Sequence, residues 1–328
     1  MQDRLGIDVP HAVLGPADFH LLGHMDPDAL RRRPLDDFIP RTLLARRAEL
    51  ILSETGGTSG APVRRVYLPD EFDAAFAAPW SRAATARGFP RGGHWLYIGP
   101  SGPHVIAQAA RAMARRLGCL EPFTVDCDPR WARRQEPGSL GQRLYVDHVI
   151  SQAVDLASRE RIDTLFTTPP LLKALAARLP DAARDRVRGI HLGGLSVGAA
   201  FCRRARREWF PSAVVLPGYG NSLCGVAFER FAPEPDDEPR YFTDDPHLWL
   251  QVAPVRGAGV DLAASVSPGA RGRVVVHRVD RSFLLLNWVE RDHADVVDAA
   301  PEGSVAGFSR LGLKAVRPAS RATTSGLY

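Results

Sequence analysis

The chain has 328 residues, 45% hydrophobic and 24% charged, with a net charge of +5, which is enough for one large domain or two medium ones around a sizeable core. No run of about 18 apolar residues occurs, which excludes a membrane-spanning helix. The positive charge is almost all arginine, in short clusters (Arg31–Arg33, Arg203–Arg204, Arg206–Arg207) without interleaved aromatics, a pattern that speaks against nucleic-acid binding and reads as solvated helix faces.

Taken in chain order, Glu49–Leu52 and Val63–Leu68 read as strands, rich in branched and aromatic residues, on either side of a glycine-rich loop. A clean alternation follows. His94–Ile98 is a predicted strand, Gly99–Pro103 a loop, and Val105–Leu117 a helix with Ala, Met and Leu on one face. Pro122–Val125 is a strand and Leu144–Ser158 a helix; Asp163–Thr167 is a strand ended by Pro169-Pro170, and Leu171–Leu179 a helix. Gly189–Leu192 leads into Gly193-Gly194, Ala199–Phe210 is helical, and Ala213–Leu216 is another strand. Strands alternating with helices imply a parallel sheet covered on both faces. Beyond residue 240 the pattern changes: Leu248–Val252, Gly272–Val279 and Phe283–Val289 are strands with little helix between them, an antiparallel or barrel-like part. Pro233–Pro239 is an acidic surface loop and Arg317–Tyr328 a frayed tail, so the expected organisation is one domain over 1–316 and a tail over 317–328.

Cys119, Cys127, Cys202 and Cys224 lack metal-type spacing and read as small buried hydrophobes. The start, Met1-Gln2-Asp3-Arg4, has no apolar signal core, which places the protein in the cytoplasm. The sequence leaves a homodimer open, because an apolar interface patch is not legible in it.

The loop between the first two strands, Thr55-Gly56-Gly57-Thr58-Ser59-Gly60-Ala61-Pro62, carries the most specific signal. It joins hydroxyls to unencumbered backbone N–H groups, a combination that wraps a polyphosphate. A Walker A loop leads into a helix and contains Gly-Lys-Ser/Thr; this loop lies between strands and has no lysine. A solvated hairpin turn is the bland alternative.

The loop resembles the phosphate-binding motif of the acyl-adenylate-forming superfamily, with Gly56 for one Ser/Thr and Ala61 at the usual lysine position. Three further stretches, in the family's order, extend the resemblance. Leu192-Gly193-Gly194-Leu195 is similar to a Gly-Gly-Glu segment beside the adenine; Tyr219-Gly220-Asn221-Ser222-Leu223 is similar to Tyr-Gly-x-Thr-Glu; and Gly272–Val276 followed by Trp288–Asp292 is similar to a Gly-x-Leu-Val-Val strand and a Tyr-Arg-x-Gly-Asp segment. The resemblance runs from about Leu35 to Lys314 and looks closest to the phenylacetate–CoA ligase branch. The Gly99–His104 loop and Asp126–Trp131 look like the truncated adenylating proteins of phenazine-antibiotic biosynthesis.

The resemblance implies an α/β core of mostly parallel helix-flanked sheets plus a smaller antiparallel or barrel-like part. It implies ATP and Mg2+ as cofactors and an aromatic carboxylic acid as substrate. It places Thr55, Gly56, Gly57, Thr58, Ser59 and Gly60 on the β and γ phosphates and Ser222 on the α-phosphate, with Thr58 and Ser222 as the catalytic hydroxyls. Gly193, Gly194, Gly220 and Asn221 line the nucleotide, Tyr219 stacks on adenine, Asp292 clamps the ribose, and Arg310 reaches ribose or phosphate. Gly102, His104, Gly194 and Tyr219 border the acid; packing against the following helix is the alternative for His104. No metal ligand is expected in the chain itself.

Three departures bear on mechanism. The magnesium glutamate position is Leu223, the adenine-side glutamate is Leu195, and the chain ends soon after Asp292, so the family's mobile C-terminal domain and its lysine are expected to be absent. Lys314 is a weak substitute at best. The expected chemistry is therefore acyl-AMP formation, with the product passed to a reductase or transferase rather than to CoA. The alternative is a catalytically degenerate protein that binds an aryl acid or a nucleotide and acts through a partner enzyme.

Overall fold

The alternation of strand and helix produces a single sheet of eleven strands, seen in a computed structural model that describes residues 15–55, 62–102, 104–229, 238–257, 259–298, 304–305, 308–309 and 311–319. A separate hairpin comes first, β1 (Ile51–Glu54) and β2 (Arg64–Tyr67), paired antiparallel from Ile51↔Tyr67 to Glu54↔Arg64. The main sheet then takes β3 (His94–Gly99), β4 (Phe123–Asp126), β5 (Ile162–Thr167), β6 (Gly189–Leu192), β7 (Val214–Asn221), β8 (Gly225–Glu229), β9 (Arg240–Phe242), β10 (Leu248–Ala253), β11 (Arg271–Val279), β12 (Leu284–Val297) and β13 (Gly312–Pro318). Their spatial order is β10-β11-β12-β13-β9-β8-β7-β6-β5-β3-β4.

From β4 to β7 all pairings are parallel. The connections carry α1 (Ala78–Ala86), which precedes β3, α2 (Val105–Arg116), α3 (Leu140–Arg159), α4 (Pro169–Ala176) and α5 (Ala199–Arg204). The helices bury small residues against the sheet: Ala107, Ala109, Ala110, Met113 and Ala114 of α2 are all within the core. Ser139 caps α3 by accepting from the Gln142 amide at 3.2 Å. Pro169 and Pro170 begin α4 rather than ending β5, because the first turn of a helix needs no N–H from those positions.

From β7 to β10 every pairing is antiparallel. The strands curl around their own core of Leu223, Ala227, Tyr241, Val252, Val276 and Leu313. The sheet stays open, with β10 at one edge and β4 at the other, so no barrel closes. β12 runs well past Val289, and β13 continues through Arg317 and Pro318, which pair with His293 and Asp292. Lys314 sits within β13, opposite Asp295 and Arg240.

The four cysteines are buried, as expected, and so are Trp95, Tyr97 and Trp288. Arg206 departs from the solvated-face reading. It lies half-buried and donates to the Glu229 carboxylate at 2.6 Å and to the Val215 carbonyl at 3.1 Å. Among the described residues no helix is long and apolar enough to cross a membrane.

Candidate functional site

β7 is the seam of the molecule. Its first half pairs parallel with β6, from Gly189↔Val214 to Leu192↔Pro217, and its second half pairs antiparallel with β8, from Gly218↔Phe228 to Asn221↔Gly225. Tyr219–Asn221 therefore emerges at the carboxyl end of the parallel strands, where α/β sheets bind ligands. Gly220 is required there: a Cβ would fall 2.0 Å from the Gly225 carbonyl oxygen across the hairpin.

Three strands separate β7 from β12 in the sheet, yet its curl brings their side chains together. Tyr219 and Asn221 alternate onto one face of β7; Trp288, Glu290 and Asp292 do the same on β12. The Tyr219 hydroxyl donates to Asp292 Oδ2 at 3.1 Å. The Asn221 side-chain amide donates to Glu290 Oε1, which also accepts from the Trp288 indole N–H at 3.0 Å. Burial, reinforced by the nearby Asp292 carboxylate, pushes the Glu290 carboxyl up to about 7. Burial also raises Asp292, opposed by its Tyr219 hydrogen bond and by Arg291 and Arg273. Burial next to these two acids holds the Tyr219 phenol well above its usual range, so it stays a donor.

The side-chain oxygen of Asn221 serves the turn that follows, accepting from the Leu223 amide at 2.8 Å and the Cys224 amide at 3.1 Å. The carbonyls of that turn are equally occupied. Ser222 O accepts from Ser53 Oγ at 2.7 Å and from the Tyr67 hydroxyl at 3.0 Å, Leu223 O from Arg65 at 2.6 Å, and Cys224 O from Arg278 at 3.0 Å. Both guanidiniums are fully buried and share Asp280 Oδ2, each at 2.6 Å, while Arg278 also meets Asp245 at 2.5 Å. The Arg65 guanidinium lies 3.6 Å from the centre of the Tyr67 ring.

The hairpin reaches the parallel sheet as well. Glu54 forms a parallel bridge with His104, and Gln108 of α2 donates to Leu52 O at 3.3 Å. Thr55 closes the neck of the loop: its N–H donates to Val63 O and its Oγ1 accepts from Val63 N, both at 2.9 Å. Thus the structure gathers Thr55, His104, Tyr219, Gly220, Asn221, Ser222 and Asp292 around the hairpin stem and the β7 turn. His104 is buried just before α2. Gly102 is in a left-handed turn (φ +75°) after β3, whose Ser101 amide is held by Asp126 at 2.8 Å. Gly193 and Gly194 follow β6, one strand from β7, with Gly194 in the left-handed region (φ +83°). Gly56, Gly57, Thr58, Ser59, Gly60 and Arg310 lie outside the described residues.

Leu223 is 1% exposed and packed in the apolar core of the antiparallel half. The turn therefore offers magnesium no carboxylate at that position, and among the described residues no group of three or more His, Cys, Asp or Glu is placed to hold a metal. Sequence reading missed Glu290, Ser53, Arg65, Tyr67 and Arg278. The i, i+2 spacing of Glu290 and Asp292 becomes a signal only once β12 is known to extend beyond Val289.

No protein-family model and no curated protein matches this chain. Solved structures do. The chain superposes on 2-hydroxyisobutyryl-CoA ligase, in the postadenylation state with 2-HIB-AMP, at a TM-score of 0.60 and 17% identity over 91% of this chain and 58% of that one. The same ligase in its thioesterification state with 2-HIB-AMP and CoA gives 0.59 and 15% over 89% and 57%, and its open conformation gives 0.58 and 16% over 89% and 63%. The chain thus spans less than two thirds of the ligase's length. Its fold is that of an acyl-CoA ligase core, an α/β sheet continued by an antiparallel half. At such identity what is shared with 2-hydroxyisobutyryl-CoA ligase is the fold.

Proposed function

We propose that this chain activates an aromatic carboxylic acid, phenazine carboxylates included, as its acyl-AMP, and that a separate reductase or transferase consumes the product. The observation that supports this reading best is the convergence of Tyr219, Ser222 and Asp292, three positions of the sequence motifs, at the seam of a fold shared with an adenylate-bound ligase.

The reaction asks little covalent chemistry of the protein. A substrate carboxylate oxygen attacks the α-phosphorus of ATP in line, the bond to the β-phosphate oxygen breaks, and pyrophosphate leaves with that electron pair. The protein positions the reactants and balances charge. In this reading Asp292 accepts from the ribose hydroxyls, and its bond to Tyr219 fixes the phenol ring as a wall for the adenine. Ser222, on a turn whose three carbonyls are all bonded, meets the α-phosphate without having to be ordered first. Thr55 stands at the neck of the phosphate loop. Leu223 supplies no ligand for magnesium, which would come with ATP and would neutralise phosphate charge there. His104 and Gly102 border the acid from the loop after β3.

The burial of Leu223 favours a second reading, a binding protein that has lost its chemistry. One experiment separates the two. The chain is incubated with MgATP, a panel of aryl acids and hydroxylamine, and in parallel with CoA. Acyl hydroxamate and AMP formed from an aryl acid are the expected result. Nucleotide binding without hydroxamate selects the degenerate protein, and CoA thioester formed by the chain alone overturns the hand-off to a partner.

A further inference from the structure

The β1–β2 hairpin has three side chains that hold one turn of another strand pair, Arg65 while also pairing with Asp280. Ser53, Arg65 and Tyr67 are each 0% exposed. Ser53 faces Arg65 directly in the ladder, and Tyr67 is two residues on, so all three project from one face of the stem. That face ends on the carbonyls of Ser222 and Leu223: Ser53 Oγ at 2.7 Å and Tyr67 Oη at 3.0 Å on the first, Arg65 at 2.6 Å on the second. A buried strand pair normally presents aliphatic side chains. Here it presents two hydroxyls and a guanidinium, all aimed at a backbone segment more than 150 positions away in sequence.

We infer that Ser53 and Tyr67 are positioning residues: with Arg65 they lock the stem of the phosphate-loop hairpin to the Ser222 turn, so that Thr55 at the neck of one and Ser222 on the other hold a fixed separation. The inference rests on the acyl-adenylation reading for its catalytic consequence, since those two residues then address successive phosphates of one nucleotide. Pre-set spacing of two anion-binding segments lowers the ordering needed in the transition state rather than tightening ground-state binding. Because two donors share one carbonyl, each alone is largely redundant, and the loss appears when both are removed.

The test uses the whole chain with Ser53→Ala, Tyr67→Phe, the double variant, and Ser53→Thr, which keeps a hydroxyl. Two readouts are taken. Hydrogen exchange of the Leu223 and Cys224 amides reports the lock without reference to activity. Acid-dependent ATP–pyrophosphate exchange reports kcat and the KM for ATP. Each single variant is expected to change kcat by less than about threefold. The double variant is expected to lower kcat about tenfold with KM within twofold, and to speed exchange at both amides about tenfold, the size of one buried hydrogen bond; Ser53→Thr stays near wild type. Wild-type amide protection in the double variant overturns the inference. So does unlocked exchange with unchanged kcat. Loss of protection in the double variant, where the wild-type chain itself shows no activity, supports the lock while refuting the adenylation reading, so the two failures are distinct.

Discussion

Between β3 and β7 the interior is apolar, with Leu96, Ile98, Leu165, Ile190 and Val215 from the strands against Leu171, Leu172 and Leu175 of α4. Between β8 and β12 an apolar core of similar size shares its boundary with buried ions, Arg65, Arg278, Asp245 and Asp280, every one at 0% side-chain exposure, and then with the half-buried Glu290 and Asp292. Non-directional burial is enough to keep five parallel strands in place. The β7 turn needs more, because three consecutive carbonyls have to be held at set positions, and only directional partners do that. The comparison teaches that the parallel half is scaffold and that the polar cost is concentrated where the turn must not move.

The contrast breaks most severely at Arg278. Arg278→Met takes the guanidinium away from buried Asp245 and leaves Asp280 to Arg65, a loss of about 3–5 kcal/mol. Chemical denaturation is expected to show it, with a matching fall in Tm of roughly 10 °C. In the parallel half, Leu165→Ala at a fully buried strand position costs about 3 kcal/mol by cavity formation. Hydrogen exchange at Leu223 and Cys224 should stay near wild type in this variant and rise in Arg278→Met. Equal disturbance of the turn by both would erase the distinction between scaffold and clamp.

A smaller effect follows from proton linkage. Glu290 titrates at about 7 in the fold, above its unfolded value, so the folded state binds more protons than the unfolded state between about 4.5 and 7. Its contribution is complete below the unfolded value and is lost as pH rises through 7. Glu290→Gln keeps an acceptor for Asn221 and Trp288 and should therefore gain a few degrees of Tm on wild type at pH 8 but not at pH 4.5. His191, in the parallel half, has the opposite sign. Burial lowers it to about 4, so the stability it lends is present above about 6.5 and falls away as pH drops through 4. A wild-type Tm independent of pH from 4 to 8 would contradict both. The smallest effect belongs to the exposed Arg116–Asp73 pair: Arg116→Ala should cost under about 1 kcal/mol and vanish in high salt.

Much of the parallel half was legible because strand and helix differ in period and the glycine and proline punctuation is dense. The ends of the elements were less so. β5 looks terminated by Pro169-Pro170 until it is seen that α4 starts with them, and β12 looks finished at Val289 because Glu290, Arg291 and Asp292 break its apolar run. β8, β9 and β13 are not legible in the sequence: two are short, and the third runs into the stretch that reads as a tail. For the site, motif order names Tyr219, Ser222 and Asp292; the first and last are hydrogen-bonded to each other, and Ser222 lies on the turn that follows β7. Nothing in the sequence announces that Ser53, Arg65 and Tyr67 converge on residues 222–224, since the contact spans more than 150 positions and depends on the curl of the sheet.

The central claim, that this seam builds an acyl-adenylate, is tested most directly by acid-dependent ATP–pyrophosphate exchange across a panel of aryl carboxylic acids, wild type against Asp292→Ala. The account expects exchange with at least one aryl acid and its loss, by tenfold or more, when the Asp292 carboxylate is removed. Exchange that is absent with every acid although ATP binds, or that survives Asp292→Ala unchanged, would contradict it.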